Sequence, residues 1–195
     1  MVTKPGVAAI AIVLVAAASS AHADDESPAF NMFGFRMSAG ALPLDGERTT
    51  VLSVGLGVEH PVFRKTRVFG EYEWLWLTAW NARAVDTVAI RPERHGNGHR
   101  ASVGLRREML AKNLSRSVRM FIDGEVGGHV ALTNDNMSGA AFVPGGLVGL
   151  RFGYDVYSRE DDSPSRTFEA EILVRAIVIE GGAGAMMGMG LAWGN

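Results

Sequence analysis

The sequence contains no cysteine. That removes disulfide frameworks, thiolate nucleophiles and cysteine-ligated metal centres together. Charge of one sign is also lacking: 19 basic against 21 acidic residues leave a formal net charge of −2, which gives no global attraction for nucleic acid or anionic lipid. Beyond Ala18 no apolar run is long enough for a spanning helix, so a membrane could be crossed only by strands. Capping boxes and apolar stripes of helical period are scarce, and the chain reads instead as strand, connection, strand.

The one long apolar run is Val7–Ala18, with Lys4 before it and Ala21-His22-Ala23 after it, ahead of Asp24-Asp25-Glu26. Charged start, apolar centre and small-residue exit predict a secretory signal over residues 1–23, cleaved after Ala23. The run is shorter than the ~20 residues of a membrane-spanning helix. Residues 24–29 then form a polar lead-in, and residues 30–195 are expected to make one domain.

What the chain has in abundance is alternation. In Arg67–Trp80, Val68, Gly70, Tyr72, Trp74, Trp76 and Trp80 share one face, while Phe69, Glu71, Glu73, Leu75 and Leu77 share the other. The larger apolar payload lies opposite a pair of glutamates. A soluble sheet does the reverse, whereas a membrane barrel turns its apolar face outward and its polar face inward. The same split recurs in eight candidate strands: Met32–Leu42, Thr50–Glu59, Arg67–Trp80, His99–Met109, Val118–Leu132, Gly145–Tyr157, Phe168–Ile179 and Ala183–Trp193. Arg107 falls on the apolar face of the fourth, near its end, where its stem can lie in hydrocarbon while its head reaches the interface. His60-Pro61 is expected to break the second strand. Asn81–Gly98 reads as the longest loop, and Ala111–Arg116 and Ser158–Ser165 as polar turns.

An open sheet with such a face would leave its edge peptide groups unpaired in hydrocarbon, so closure follows. The expected fold is all-β, an eight-stranded antiparallel up-and-down transmembrane barrel. With the N-terminus periplasmic, Phe33, Phe35, Phe152, Tyr154, Phe168 and Trp193 approach the periplasmic rim, and Trp76 and Trp80 the outer rim, as two aromatic girdles.

The inward face collects Arg36, Glu59, Glu71, Glu73, Arg100, Arg106, Glu108, Arg119, Asp123, Glu125, His129, Arg151, Asp155, Glu169, Glu171 and Arg175. Charges in a low-dielectric enclosure must be paired or hydrated. They are expected to interlock as a network that plugs the lumen, with a narrow polar pore as the alternative. Glycines on the same face, such as Gly55, Gly57, Gly104, Gly149 and Gly153, would make room for the long side chains. Arg91, Arg94, His95 and His99 fall in or beside the longest loop, where they could meet lipopolysaccharide phosphates. His95 and His99 are separated by glycines that deny a helix, so no metal site is expected. Nor is catalysis: there is no His-x-Ser pair, and Ser38, Ser53 and Ser102 point inward.

By this pattern, and by Gly188, Leu191 and Trp193 in its last strand, the chain resembles the small eight-stranded outer-membrane proteins of the OmpA-transmembrane-domain and OmpX kind. The resemblance implies an outer-membrane location among lipid and lipopolysaccharide, insertion by the barrel-assembly machinery, no cofactor, and a structural or surface-interacting role. Gly194-Asn195 after Trp193 depart from the family's aromatic last residue. The competing architecture is a soluble periplasmic barrel of lipocalin type, which would need the two faces exchanged.

Overall fold

The computed structural model describes residues 32–44, 47–63, 65–79, 94–135, 139–160 and 163–194. The expected signal segment and lead-in, Trp80 and Arg91 lie outside the described residues. Eight strands follow in chain order: β1 (Met32–Leu44), β2 (Glu47–Phe63), β3 (Thr66–Ala79), β4 (Arg94–Asn113), β5 (Val118–Asp135), β6 (Gly139–Glu160), β7 (Ser163–Ile179) and β8 (Gly182–Gly194). Each pairs antiparallel with its neighbour, and β1 pairs with β8 from Met32↔Gly194 to Ala41↔Ala185, which closes the barrel.

The register shows the stagger that closure demands. From Tyr72 in β3, the direct partner in β4 is Ala101. Followed the other way round, through Leu56, Phe35, Leu191, Ala170, Tyr154 and Met120, the same row reaches β4 at Lys112. The row descends toward the end holding Met32 and Gly194 (the terminal end), as tilted strands in a closed sheet require.

Alternation sets the two faces. Outward side chains form an apolar belt: Leu52, Trp74, Val148 and Ile172 are each about half exposed, and Met189 is 66% exposed. A belt this continuous exceeds what a water-soluble monomer shows and suits hydrocarbon. Phe33 pairs with Trp193, and Phe168 meets Trp193 edge-on at 6.2 Å, making an aromatic rim at the terminal end. Trp74 and Trp76 stack at 6.4 Å nearer the opposite end.

The interior has two layers. Arginines and carboxylates fill the part nearer the terminal end. Toward the other end lies a buried apolar cluster that includes Leu42, Leu44, Val51, Leu75, Leu77, Leu147, Ile177, Ile179 and Met186. The inward face read from the sequence already includes Leu75 and Leu77, and the fold gathers them with the others into this second layer. On β3, β6 and β7 these residues sit one or two inward positions beyond the last charged one, so those faces are mixed along their length.

The strands run longer than the sequence reading at several boundaries. β2 runs through His60-Pro61 to Phe63, with a register shift between Pro61 and Phe63 that accommodates the missing N–H of proline. β4 begins at Arg94, so His95-Gly96-Asn97-Gly98 is strand, paired to β3 throughout and to β5 from Gly96. It also continues through a bulge beside Met109 to Asn113, shortening the expected turn. β6 spans Gly139–Glu160 and β7 starts at Ser163, so most of Ser158–Ser165 is paired backbone. In each case glycine, proline or charge marked a turn locally, and pairing with a neighbouring strand overrode it. Between β7 and β8 the chain reverses tightly at Glu180-Gly181, with Gly181 at φ 99°, a conformation that suits glycine.

Val148 lies near the middle of β6 and faces outward. Val148→Arg is expected to lower the unfolding free energy in phospholipid vesicles by about 2–4 kcal/mol, read by urea titration of tryptophan fluorescence. A change within ~0.5 kcal/mol, typical of a water-exposed surface position, would contradict hydrocarbon contact there.

Candidate functional site: the charged lumen

The charged layer is built by residues on the inward side of every strand except β8, and guanidinium groups link them across the barrel. Arg151 on β6 reaches three other strands: Nη1 lies 2.7 Å from Glu59 of β2, and 2.9 and 2.6 Å from Glu169 and Glu171 of β7. Its Nη2 donates to Asp123 of β5 at 2.6 Å. Arg106 on β4 contacts Glu59 and Glu71, and its Nε donates to Glu125 at 3.0 Å. Arg36 on β1 pairs with Glu71 and donates through Nε to Glu171 at 2.6 Å. Arg175 on β7 pairs with Glu125 and donates to Glu71 at 2.6 Å. One layer further from the terminal end, Arg100 donates to Glu73 at 2.6 Å, and a Ser38–Ser53 hydroxyl pair leads to the same carboxylate. At the mouth of the terminal end, Arg119 bridges Glu108 and Asp155.

These groups are buried, with Arg100, Arg106, Arg151 and Arg175 among the most enclosed side chains of the protein. Fixed guanidinium forks suit this work because each presents several donors in one plane and can satisfy several carboxylates at once. Two inward aromatic rings complete the packing. Arg106 lies over Phe69 at 4.2 Å, with Arg175 near the same ring at 5.8 Å, and Arg151 lies over Phe121 at 5.0 Å.

The inner glycines are where the long side chains pass. A Cβ on Gly149 would stand 2.8 Å from the Glu125 carboxylate and 3.0 Å from the Arg175 stem, and one on Gly153 would meet the Phe121 ring at 2.6 Å. Glycine is needed here for space.

The carboxylates of Glu59, Glu169 and Glu171 approach within 4.8 Å, a spacing that could suit a metal ion. The position among them is taken by the Arg151 guanidinium, so the cation they hold is the protein's own.

All the inward residues collected from the sequence, Arg36 through Arg175, face the lumen. His129 is buried there too, without an ion-pair partner among the described residues, its ring against the Gly145 backbone. Sequence reasoning passed over Arg67, which sits at the terminal mouth 3.1 Å from Glu59 and 3.6 Å from Glu169. Its place two residues before Phe69 on the inward face was the available signal. Arg91 lies outside the described residues, and Arg94 opens β4. His95 is exposed, whereas His99 faces outward on the wall, with Nδ1 2.7 Å from the Tyr72 hydroxyl and its ring 5.0 Å from Trp74. His99 therefore belongs to the aromatic belt, because the strand pairing that absorbs residues 94–98 carries it into the wall.

Apolar outside and charged inside is the reverse of a soluble lipocalin-type barrel. The architecture is that of the transmembrane β-barrels. No family model and no curated protein matches the chain. Among solved structures it is similar to Neisserial surface protein A, at 8% identity over 87% of this chain and 99% of that one, with a TM-score of 0.50. OprG of Pseudomonas aeruginosa matches at 10% identity over 87% of this chain and 97% of that one, with a TM-score of 0.49. Ail of Yersinia pestis matches at 10% identity over 86% and 99%, with a TM-score of 0.46. The fold of this chain is that of the small eight-stranded outer-membrane β-barrels.

Removing Arg151 would leave Glu59, Asp123, Glu169 and Glu171 without their shared cation. Arg151→Ala is expected to cost about 3–5 kcal/mol in denaturant unfolding. Arg48→Ala, at an exposed position of β2, should stay within ~0.5 kcal/mol. Equal effects of the two would refute the shared-cation role.

Proposed function

We propose that the protein is an outer-membrane barrel with a closed lumen, acting as a structural or surface-interacting element rather than as a pore or an enzyme. The observation that carries this reading is the double filling of the interior. The arginine–carboxylate layer occupies the terminal half, and the apolar cluster of Leu42, Val51, Leu77 and Ile177 occupies the other. An ion crossing the barrel would have to break the first and dehydrate in the second. Either layer alone opposes passage, and the apolar one counts against the narrow polar pore.

A catalytic pair among the lumen carboxylates is disfavoured by the same crowding, since each is bound by arginine. Placing the terminal end in the periplasm puts the long segment between β3 and β4 on the cell surface, in keeping with short inner turns and longer outer loops. Lipid and lipopolysaccharide then surround the belt. β8, with Trp193 facing outward beside Phe33, is the strand we assign to recognition by the assembly machinery.

Two measurements test this together. Protein extracted from outer membranes should migrate differently on a gel before and after boiling, because a closed barrel resists detergent until heated. In planar bilayers the same preparation should leave the conductance at baseline. Discrete single-channel steps from a preparation that shows the gel shift would overturn the closed lumen. Recovery only with soluble periplasmic contents would overturn the membrane location.

A further inference from the structure

The outer wall is not uniformly convex. Across β5, β6, β7, β8 and β1 it carries an apolar groove of about 600 Å³. That lies within the ~300–1,000 Å³ of small-molecule sites. One side is the descending register row Phe35, Leu191, Ala170, Tyr154 and Met120. The other is the next row, Met37, Met189, Ile172, Phe152 and Ile122. Between them runs the inward-facing row Phe121, Gly153, Glu171 and Gly190, and the lower side dips where Ala170 stands between the larger Leu191 and Tyr154.

Both rows end on the same strand. The lower continues from Met120 to Lys112 of β4, and the upper from Ile122 to Leu110. The bulge beside Met109 restores these two residues to the outward face below Arg107. Leu110 is 65% exposed, and Arg107 and Lys112 are exposed on either side of it. The rows that flank the groove therefore lead, one strand beyond its lining, to a pair of cations at the level where the hairpin between β4 and β5 leaves the wall.

Resting on the membrane reading above, we propose that this groove is a binding site for one anionic phospholipid of the leaflet at the terminal end. Its acyl chain lies over Ala170 between Tyr154 and Leu191, and its phosphate meets Arg107 and Lys112. Two features argue for that occupant. The groove is continuous with the hydrocarbon-facing belt, so an acyl chain is the natural filler. The rows that flank it lead to positive charge at headgroup depth, where a lysine or arginine near the surface favours anionic over zwitterionic lipid.

The test uses protein purified folded from membranes in detergent. Its retention of phosphatidylglycerol and of phosphatidylcholine is compared by native mass spectrometry. The wild-type chain should retain phosphatidylglycerol preferentially. Lys112→Gln should cut that preference about fivefold, and Arg107→Gln similarly. Ala170→Phe, which fills the dip in the lower side from the outer face, should lower retention of both lipids. The gel shift on boiling is checked for every variant. Equal retention of the two lipids by shifted wild-type protein, or a preference untouched by the charge substitutions, overturns the headgroup site. Retention unchanged in Ala170→Phe overturns the groove. Wild-type protein that shows no gel shift overturns the membrane reading itself, and the site with it.

Discussion

A peptide group left unpaired in hydrocarbon costs several kcal/mol, and the seam between β1 and β8 is where this chain meets that demand. Along it, ten consecutive residues of β1 pair with β8. Without that seam the first and last strands would each offer an open edge, and the apolar outer face could not be kept in a membrane. Closure with eight strands then dictates the rest. The wall must stagger, which sends the register row from Tyr72 down to Lys112, and the enclosed space is narrow enough to be filled by side chains.

How that space is filled is more specific than closure requires. Buried ion pairs often give no net stability over an apolar filling of similar shape, because desolvation offsets attraction. Here they link strands that do not touch. Arg151 joins β6 to β2, Arg106 joins β4 to β2, and Arg36 joins β1 to β3 and β7. Backbone pairing connects only neighbours, so these guanidinium groups are the cross-braces of the lower barrel. In the other half, Leu77, Leu147 and Ile177 perform the filling by packing alone. Glycines such as Gly149 and Gly153 connect the two designs, since each leaves the wall bare where a long side chain crosses.

The outer surface follows from the same geometry. Because the register rows descend, the two that flank a groove lead from the middle of the belt to its lower margin. The bulge beside Met109 brings Leu110 and Lys112 outward together at that margin. Tyr72, His99 and Trp74 form a compact aromatic group on the far side, near the opposite interface. Neither feature is a property of any one strand.

The sequence by itself determined the number of strands, the face each presents, and the charged residues that meet inside. A period of two is written directly in the order of residues, and Glu71-Tyr72-Glu73-Trp74 states it without reference to any neighbour. It could not say where strands end. His60-Pro61, His95–Gly98 and Ser158–Ser165 carry turn signals, yet pairing with a neighbouring strand holds most of them in the sheet, and partners are not visible to local sequence. Nor could it show that the charges stop halfway and an apolar layer begins. That depends on the stagger, which sets Leu77 of β3 and Ile177 of β7 at one depth and Glu71 and Glu171 at another. Only the closed tertiary structure decided it, because depth inside a tilted barrel is fixed by all eight registers at once.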